Sequence, residues 1–304
     1  MDRYSSRARE LRARRAALRR RRARRRAGLA ASGPIALAAA LALALNTGSS
    51  APGTRRHRRS AVAGSPSVGF ASRRRAGQTR AIDRLLAFTP YVERAGPRSR
   101  EVALTFDDGP GAATPRILAI LRRTRTPATF FVTGRSARAH PGLVAEETRD
   151  GFVVGDHTET HPFLGSLPAA AQAAQLDTAA ADIHRAGAPY PRLFRPPFGS
   201  FDQTTLGLLR ARRMLMVLWS ADTKDYSRPG VRKIVYAGIS GGQPGAVVLM
   251  HDGGPNRGQT VAALPRIILR LRQRGYRLVA IPQLVRDDPP PLHQPPPRPL
   301  SGLP

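Results

Sequence analysis

The 304-residue sequence contains no cysteine, which excludes a disulfide framework, a thiolate metal site and a cysteine nucleophile. Carboxylates are scarce too, since Asp and Glu total 20 against 50 Lys and Arg, and the formal charge is +30. Lysine is nearly missing, because only Lys224 and Lys233 occur, so arginine carries the charge. A chain this basic is expected to meet an anionic partner.

Much of the positive charge precedes the periodic part of the sequence. The first 26 residues contain thirteen arginines against Asp2 and Glu10, and residues 27–86 add nine against Asp83. A nucleic acid would be one partner for such charge. The arginine runs lack the interleaved aromatic residues on which bases stack, so nucleic-acid binding is not expected to be the main function. An anionic cell-wall polymer or lipid headgroup fits the charge better.

The composition divides the chain into five parts. An arginine-rich n-region at 1–27 and an uncharged apolar segment at 28–46 predict a signal peptide or, if uncleaved, a single-pass anchor that makes the membrane a partner. The rest of the chain would then lie outside the cytoplasm. Residues 47–97 are predicted to be a flexible basic linker and residues 287–304 an extended Pro-rich tail. The folded domain is predicted at 98–286.

Within that domain, short apolar runs alternate with amphipathic helical patterns. Strands are predicted over 101–106, 128–133, 152–155, 193–195, 214–219, 246–251 and 277–280. Helices are predicted over 115–123, 141–150, 168–185, 203–212, 231–240 and 260–274. The alternation predicts an α/β fold with parallel strands. The stretch is shorter than the roughly 250 residues of a regular eightfold barrel, which favours a distorted (β/α) barrel with its functional residues at the C-terminal ends of strands.

The first predicted strand ends in Asp107 and Asp108, followed by Gly109 and Pro110. Two adjacent carboxylates repel each other and are costly to bury without a cation. A metal would resolve this, because one aspartate could bind it while the other stays free as a base. Asp-Asp-Gly-Pro is also favourable turn chemistry, so the motif alone leaves both interpretations open.

His157 and His161 follow the third predicted strand. If this segment is helical, residues four apart share one face of a turn, and both imidazoles could reach one ion. The spacing also arises by chance. An aspartate from the first strand would complete a mixed oxygen and nitrogen ligand set that leaves positions open for water and substrate.

Three further strand ends carry candidate side chains. Arg195 could pair with a carboxylate or lie on the surface beside a loop. Trp219 could form an aromatic wall or part of the core, and Asp222 and Asp225 follow it in the sequence. His251 could be a buried core residue or a general acid.

Five motifs in this order resemble the polysaccharide deacetylase family, also known as the NodB homology domain or carbohydrate esterase family 4. They are Thr105-Phe-Asp-Asp-Gly-Pro110, His157-Thr-Glu-Thr-His161, Arg195-Pro-Pro-Phe-Gly199, Asp222-Thr-Lys-Asp-Tyr226 and Leu249-Met-His251. The resemblance spans about residues 98–282. It implies a distorted (β/α) barrel and a metal-dependent hydrolase that removes N-acetyl groups from an amino-sugar polymer.

The resemblance also implies roles for the matching residues. Asp107 would be the catalytic base, oriented by Arg195. His251 would be the catalytic acid, with Asp222 as its charge partner. The metal ligands would be Asp108, His157 and His161.

Four residues are expected to bind substrate, namely Phe198, Trp219, Tyr226 and Leu249. Phe198 stands where the family more often has Tyr, a change that removes only a hydroxyl because the backbone N–H is the group thought to help the oxyanion. Tyr226 stands where the family usually has Trp, which alters a pocket wall and leaves the chemistry intact.

The implied cofactor is one divalent metal, with Zn²⁺ expected and Co²⁺ or Ni²⁺ as alternatives. The expected partner is an acetylated cell-wall or amino-sugar polysaccharide, first peptidoglycan N-acetylglucosamine or a chitin-like oligosaccharide. One alternative is an O-deacetylase of acetylated xylan or a similar ester. Another is a non-catalytic glycan-binding module at the cell envelope, which should lack a metal ligand or the base.

Overall fold

The computed structural model describes residues 66–292 of the chain. The n-region, the apolar segment at 28–46, the first part of the predicted linker and most of the Pro-rich tail lie outside these residues, so those predictions stay untested. No helix within residues 66–292 is both long and apolar enough to cross a bilayer.

Nine short strands of the described residues form one curled sheet. They are β1 (Tyr91–Val92), β2 (Glu101–Asp107), β3 (Thr129–Val132), β4 (Val153–Asp156), β5 (Leu193–Phe194), β6 (Leu215–Val217), β7 (Ala221–Asp222), β8 (Ala246–His251) and β9 (Arg277–Val279). Their order is β1-β6-β5-β4-β3-β2-β8-β7, and β9 pairs with the first half of β2. All these strand pairs are parallel. Their C-terminal ends therefore lie along one rim.

Helices connect and cover the strands. Those of the described residues are α1 (Pro66–Leu86), α2 (Thr114–Arg123), α3 (Gly134–Ala139), α4 (Pro141–Arg149), α5 (Ala169–Arg185), α6 (Gln203–Ala211), α7 (Val231–Ser240), α8 (Gly258–Gln273) and α9 (Ile281–Asp287). The predicted α/β fold with parallel strands is confirmed.

The strand β2 shows how the sheet positions functional side chains. Successive side chains of a strand point to opposite faces. Leu104 and Phe106 belong to the apolar cluster that includes residues of α2 and α8. Ala103 belongs instead to a second cluster with the buried residues of α1 and α9. Thr105 and Asp107 share the face of Ala103, so this pleat turns the last carboxylate of the strand toward the interior of the curled sheet.

The predicted start of the domain at residue 98 was wrong. The helix α1 and the strand β1 precede that position. Ala81, Ile82 and Leu85 of α1 are buried in the same cluster as Ala103. These few apolar residues are enough to fix the helix against the sheet, although arginine, glycine and serine around them conceal the apolar face in the sequence.

The predicted end of the domain was also slightly early. Asp288 is buried, and its carboxylate accepts hydrogen bonds from Arg98 Nε at 2.9 Å and Ser99 N at 2.8 Å. This contact joins the segment before β2 to the residue that follows α9. The folded domain therefore includes Asp288, and the Pro-rich tail begins after this residue and not at residue 287.

Candidate active site

Three side chains with metal-ligand chemistry meet at the rim. Asp108 follows β2, and His157 and His161 follow β4. The Oδ1 atom of Asp108 lies 3.1 Å from His161 Nε2 and 3.5 Å from His157 Nε2. Each residue offers one ligand atom within 4.8 Å of the others. The structure therefore brings together the three residues predicted to bind metal.

The two histidines do not lie on a helical turn, which corrects the interpretation of their spacing. They belong to a loop in which Thr158 and His161 adopt left-handed backbone angles, with φ of 65° and 62°. The loop is held internally, because Asp156 Oδ1 accepts from Thr158 N at 2.7 Å and Thr158 Oγ1 accepts from His161 N at 3.1 Å. These short polar contacts, and not a helix, set the two imidazoles side by side, with ring centroids 4.9 Å apart.

Left-handed backbone conformations are concentrated at this rim. Asp108 has φ of 71° and Phe198 has φ of 58°, in addition to the two residues of the histidine loop. Such conformations cost a non-glycine residue on the order of 1–3 kcal/mol and cluster at functional sites. For the β-branched Thr158 the conformation is especially unfavourable. The fold thus accepts backbone strain in order to aim the ligand side chains.

Two imidazoles and one guanidinium flank the Asp108 carboxylate. Burial opposes its ionisation, but the imidazoles of His157 and His161 outweigh burial and lower the pKa of Asp108. On the other side, Arg257 Nη2 lies 3.6 Å from Oδ2. Arg257 is itself buried and donates from Nε to Gly253 O at 2.6 Å. Asp108 is therefore ionised, with one oxygen toward Arg257 and the other toward the imidazoles.

The ligand set fits a divalent cation. Asp108 Oδ1 is shielded from solvent and has no hydrogen-bond partner within residues 66–292. His157 Nδ1 is 2.7 Å from the carbonyl oxygen of Arg195, which accepts a hydrogen bond from Nδ1–H and leaves the Nε2 lone pair directed at the site. A backbone carbonyl that orients a ligating imidazole in this way is typical of metal sites. One oxygen and two nitrogen ligands also leave positions open for water and substrate.

Asp107 is tied to a buried arginine. Arg195 is completely buried, and its Nη1 donates to Asp107 Oδ1 and to Thr105 Oγ1, both at 2.8 Å. Its other nitrogens donate to the carbonyls of Val217 and Leu218 at 3.0 and 3.1 Å. The guanidinium thus makes four hydrogen bonds within the protein. It fixes Asp107 through Oδ1 and leaves Oδ2 available.

His251 is paired with Asp225, so the prediction that Asp222 is its partner was wrong. His251 Nδ1 lies 2.7 Å from Asp225 Oδ1, and the backbone N–H of His251 donates to Asp225 Oδ2 at 2.9 Å. The hydroxyl of Thr260 donates to the same carboxylate at 2.6 Å. Asp222 accepts instead from the backbone N–H of Lys224 at 2.7 Å.

The pairing sets the protonation of His251. Burial lowers the pKa of His251, but the hydrogen bond and negative charge of Asp225 outweigh burial, with smaller contributions from Asp107 and Asp108. The net pKa of His251 is raised above its usual value. Its Nδ1 proton is held by Asp225, which leaves Nε2 as the nitrogen that can donate to a substrate.

All the predicted site residues except the buried Arg195 line one cavity of about 630 Å³. Its walls are formed by Asp107, Asp108, His157, His161, Pro196, Phe198, Trp219, Ser220, Asp222, Tyr226, Leu249 and His251. A cavity of this size is in the range of small-molecule sites. The Phe198 ring packs edge-on against His161 at 4.6 Å, and the Tyr226 ring packs edge-on against His251 at 5.4 Å. Aromatic rings therefore border both the ligand side and the acid side of the cavity.

Close packing of the turns after β2 and β8 requires glycine. A Cβ atom at Gly253 would overlap the carbonyl group of Asp108, and one at Gly109 would overlap the carboxylate of Asp252. Asp252 is buried behind the turn, where burial raises its pKa to about 7 although Thr114 donates a hydrogen bond to it. This packing brings the strand ends of Asp108 and His251 together.

The chain is also similar in sequence to known proteins. Residues 94–217 match the family described as Polysaccharide deacetylase. A chitooligosaccharide deacetylase from Bradyrhizobium sp. (strain ANU 289) is 38% identical over 208 residues, which cover 64% of this chain and 94% of that protein. The chain belongs to the polysaccharide deacetylase family. Another member, a peptidoglycan-N-acetylglucosamine deacetylase from Bacillus cereus (strain ATCC 14579), is 35% identical over 205 residues that cover 65% of this chain and 94% of its own length.

Solved structures of polysaccharide deacetylase relatives share the fold. A family 4 carbohydrate esterase from Streptomyces lividans in complex with acetate has a TM-score of 0.57 and 34% identity, and the match covers 60% of this chain and 94% of that one. A carbohydrate esterase family 4 pseudoenzyme from Bacillus anthracis has a TM-score of 0.61 and 30% identity, covering 65% and 69%. Because this fold also occurs in a pseudoenzyme, the side chains of the site, and not the fold, must support catalysis.

Sequence reasoning missed three residues that support this polysaccharide deacetylase site. Arg257, beside Asp108, is the residue before α8, and Thr260, beside Asp225, lies in the first turn of α8. This region has no recognised motif. Thr105 stands in the first motif, where it holds Arg195. Its position two residues before Asp107, on the same face of β2, is the one signal that could have indicated its contact.

The corrected partner of His251 leads to a pH prediction. His251 must be protonated to act as an acid, and its raised pKa keeps the proton to higher pH than usual. Deacetylation should therefore fall as pH rises through that pKa. In Asp225→Asn the pKa of His251 falls, so the alkaline limb of the kcat–pH profile should move to lower pH.

The matched control is Asp222→Asn, which removes a nearby carboxylate without touching His251. Its alkaline limb should stay within a few tenths of a pH unit of the unmodified chain. A larger displacement in Asp222→Asn than in Asp225→Asn would restore Asp222 as the partner.

Proposed function

We propose that this chain is a metal-dependent N-deacetylase of an amino-sugar polymer, with peptidoglycan N-acetylglucosamine as its first substrate and Zn²⁺ as its metal. The observation that carries the proposal is one cavity rim bearing a complete ligand triad, a free carboxylate oxygen and a protonated histidine. The names of the chitooligosaccharide and peptidoglycan deacetylase relatives support the substrate class.

Asp107 has the position of the base. A divalent cation held by Asp108, His157 and His161 would supply Lewis acidity that polarises an acetyl carbonyl and makes a water more acidic. The Oδ2 atom of Asp107 lies 3.8 Å from His157 Nε2, at the ligand set, and is free to accept a proton from that water. Arg195 holds the other oxygen and compensates the negative charge of the base.

His251 has the position of the acid. An amine leaves poorly from an amide unless it receives a proton. The Asp225–His251 pair keeps the imidazole protonated and fixed through Nδ1, so that Nε2 can deliver the proton. Each such proton-transfer group contributes typically ~10²–10⁴-fold to the rate. Base and acid thus face the same cavity from neighbouring strand ends, where Asp107 and His251 are paired in register.

The alternative substrate is an O-acetyl ester such as acetylated xylan. The same base and ligands serve both reactions, but an alcohol leaves more readily than an amine and depends less on an acid. In His251→Gln, acetate release from N-acetylated polymer should therefore fall by a larger factor than release from acetylxylan.

The test measures acetate release from purified peptidoglycan, chitin oligomers and acetylxylan, each with and without a chelator. We expect the highest rate on an N-acetylated polymer, loss of release with chelator, and recovery on adding Zn²⁺. A preference for acetylxylan would establish the ester alternative. Binding to the polymers without any acetate release would establish the non-catalytic module, which the complete ligand set and base argue against.

We also propose that the catalytic domain lies outside the cytoplasm, either secreted or anchored by one membrane span. The arginine-rich region at 1–27 and the apolar segment at 28–46 support this. The same acetate assay on intact cells tests it, because a polymer added outside can meet only an exported enzyme. Release that requires cell lysis would contradict export.

A further inference from the structure

The helices α7 and α8 present an exposed face of unusual charge. Between residues 227 and 286 the sequence has a single acidic residue, Asp252, and it is buried. The exposed side chains of the two helices and of the residue that follows α8 are strongly basic. They include Arg232, Lys233, Arg266, Arg270 and Arg274. We call this surface the α7–α8 face.

These cations are not neutralised within the described part of the chain. None of them forms an ion pair with a carboxylate of residues 66–292. Arg274 donates to the carbonyl oxygen of Ile239 at 2.8 Å, and Arg270 donates to Gln273 at 3.0 Å, so both are held by neutral groups. The face therefore keeps its charge available for an external anion.

The α7–α8 face also exposes apolar side chains. Tyr236 is 74% exposed and Leu269 is 54% exposed. Val235 and Ile239 lie between them in shallow grooves that the arginines border. A contiguous exposed apolar patch with a polar rim is a mark of an interaction surface.

The two properties together favour one kind of partner. A fully polar polyanion would neutralise the arginines but leave Tyr236 and Leu269 in water. The interface of an anionic bilayer offers both headgroup phosphates for the cations and an apolar boundary for the tyrosine and leucine. We propose that the α7–α8 face docks on the surface of an anionic lipid bilayer. This proposal is independent of the catalytic function.

The absence of cysteine allows a direct test on the full chain. Tyr236→Cys gives one attachment site for an environment-sensitive fluorophore. Tyr190→Cys is the matched control, because Tyr190 is 60% exposed and lies before β5, three strands away from β2 in the sheet order. Both labelled chains keep the N-terminal arginines, so general attraction to the vesicle affects them equally.

With vesicles of phosphatidylglycerol, the fluorophore at 236 should shift to shorter wavelength and be quenched by brominated lipid, while the one at 190 should not. Neither should respond to phosphatidylcholine. Adding Arg232→Gln and Arg266→Gln should reduce the quenching at 236 roughly fivefold or more, since each cation near an anionic surface contributes about that factor. Arg116→Gln with Arg123→Gln, on the exposed side of α2, should leave it unchanged.

Equal responses at 236 and 190 would overturn the proposal, because the chain would then meet the bilayer without a preferred face. So would an unchanged signal at 236. A shift at 236 with soluble poly(glycerol phosphate) or RNA in the absence of lipid would also overturn it, since the face would then belong to a polyanion.

Discussion

Replacing Asp107 by asparagine is expected to lower the rate of acetate release by roughly 10²–10⁴-fold while the bound metal is retained. The amide keeps the shape of the carboxylate and can still accept the hydrogen bond of Arg195, but it cannot take a proton. The ligand atoms of Asp108, His157 and His161 are untouched. Acetate release and metal content are measured on the same preparation.

The Asp107 variant also carries a cost in stability that the assay must control. Arg195 is completely buried, and Asp107 is the carboxylate that compensates its charge. Losing one partner of a buried pair lowers the free energy of unfolding by up to roughly 3–5 kcal/mol. Thermal unfolding of the variant sets the temperature at which all of it is folded. Asp222→Asn, at the same rim but without a buried arginine, should keep most of the activity.

Replacing His157 by alanine is expected to remove metal and turnover together. Even the loss of a residue that merely orients a ligand costs typically 10–100-fold in metal affinity, so the loss of a ligand should cost at least ~100-fold. Competition with a chromogenic chelator measures the affinity.

His140→Ala provides the matched control for that experiment. His140 is an exposed histidine between α3 and α4, outside the site cavity. Its replacement should leave metal affinity and turnover unchanged. Tight metal binding by His157→Ala, at the level of the His140 variant, would remove His157 from the ligand set.

The regular elements were predictable because their apolar periodicity agrees with their environment. The strand at 246–251 is a continuous run of apolar residues ending in His251, as a strand covered on both faces should be, and its observed bounds are the predicted ones. The helix at 231–240 was likewise predicted to the residue. The order of candidate residues along the rim follows from the parallel topology alone.

The loops were less predictable, since their backbone angles are set by local polar contacts. The partner of His251 depends on a turn in which Lys224 and Arg228 have φ of 53° and 55°. That turn buries Asp225 against β8 and leaves Asp222 three residues earlier facing the cavity. The motif contains both Asp222 and Asp225, and their spacing in the sequence could not show which of them pairs with His251.

The prediction that His157 and His161 lie on a helical turn failed for a related reason. A four-residue separation suits a helix, but Asp156 Oδ1 hydrogen-bonds the backbone of Thr158 and stabilises a turn in its place. Helix α1 was missed because its buried residues are few and stand among arginines. A local side-chain contact decided the first conformation and packing against the sheet decided the second.

The central claim is that Asp107 is the base while the neighbouring Asp108 is a metal ligand. The most direct test measures both bound metal and acetate release in Asp107→Asn. One divalent ion per chain should remain, with release reduced by at least two orders of magnitude. A variant that loses its metal along with its turnover would make Asp107 a ligand. Turnover at the level of the unmodified chain would remove Asp107 from the chemistry, and either result would contradict the proposed site.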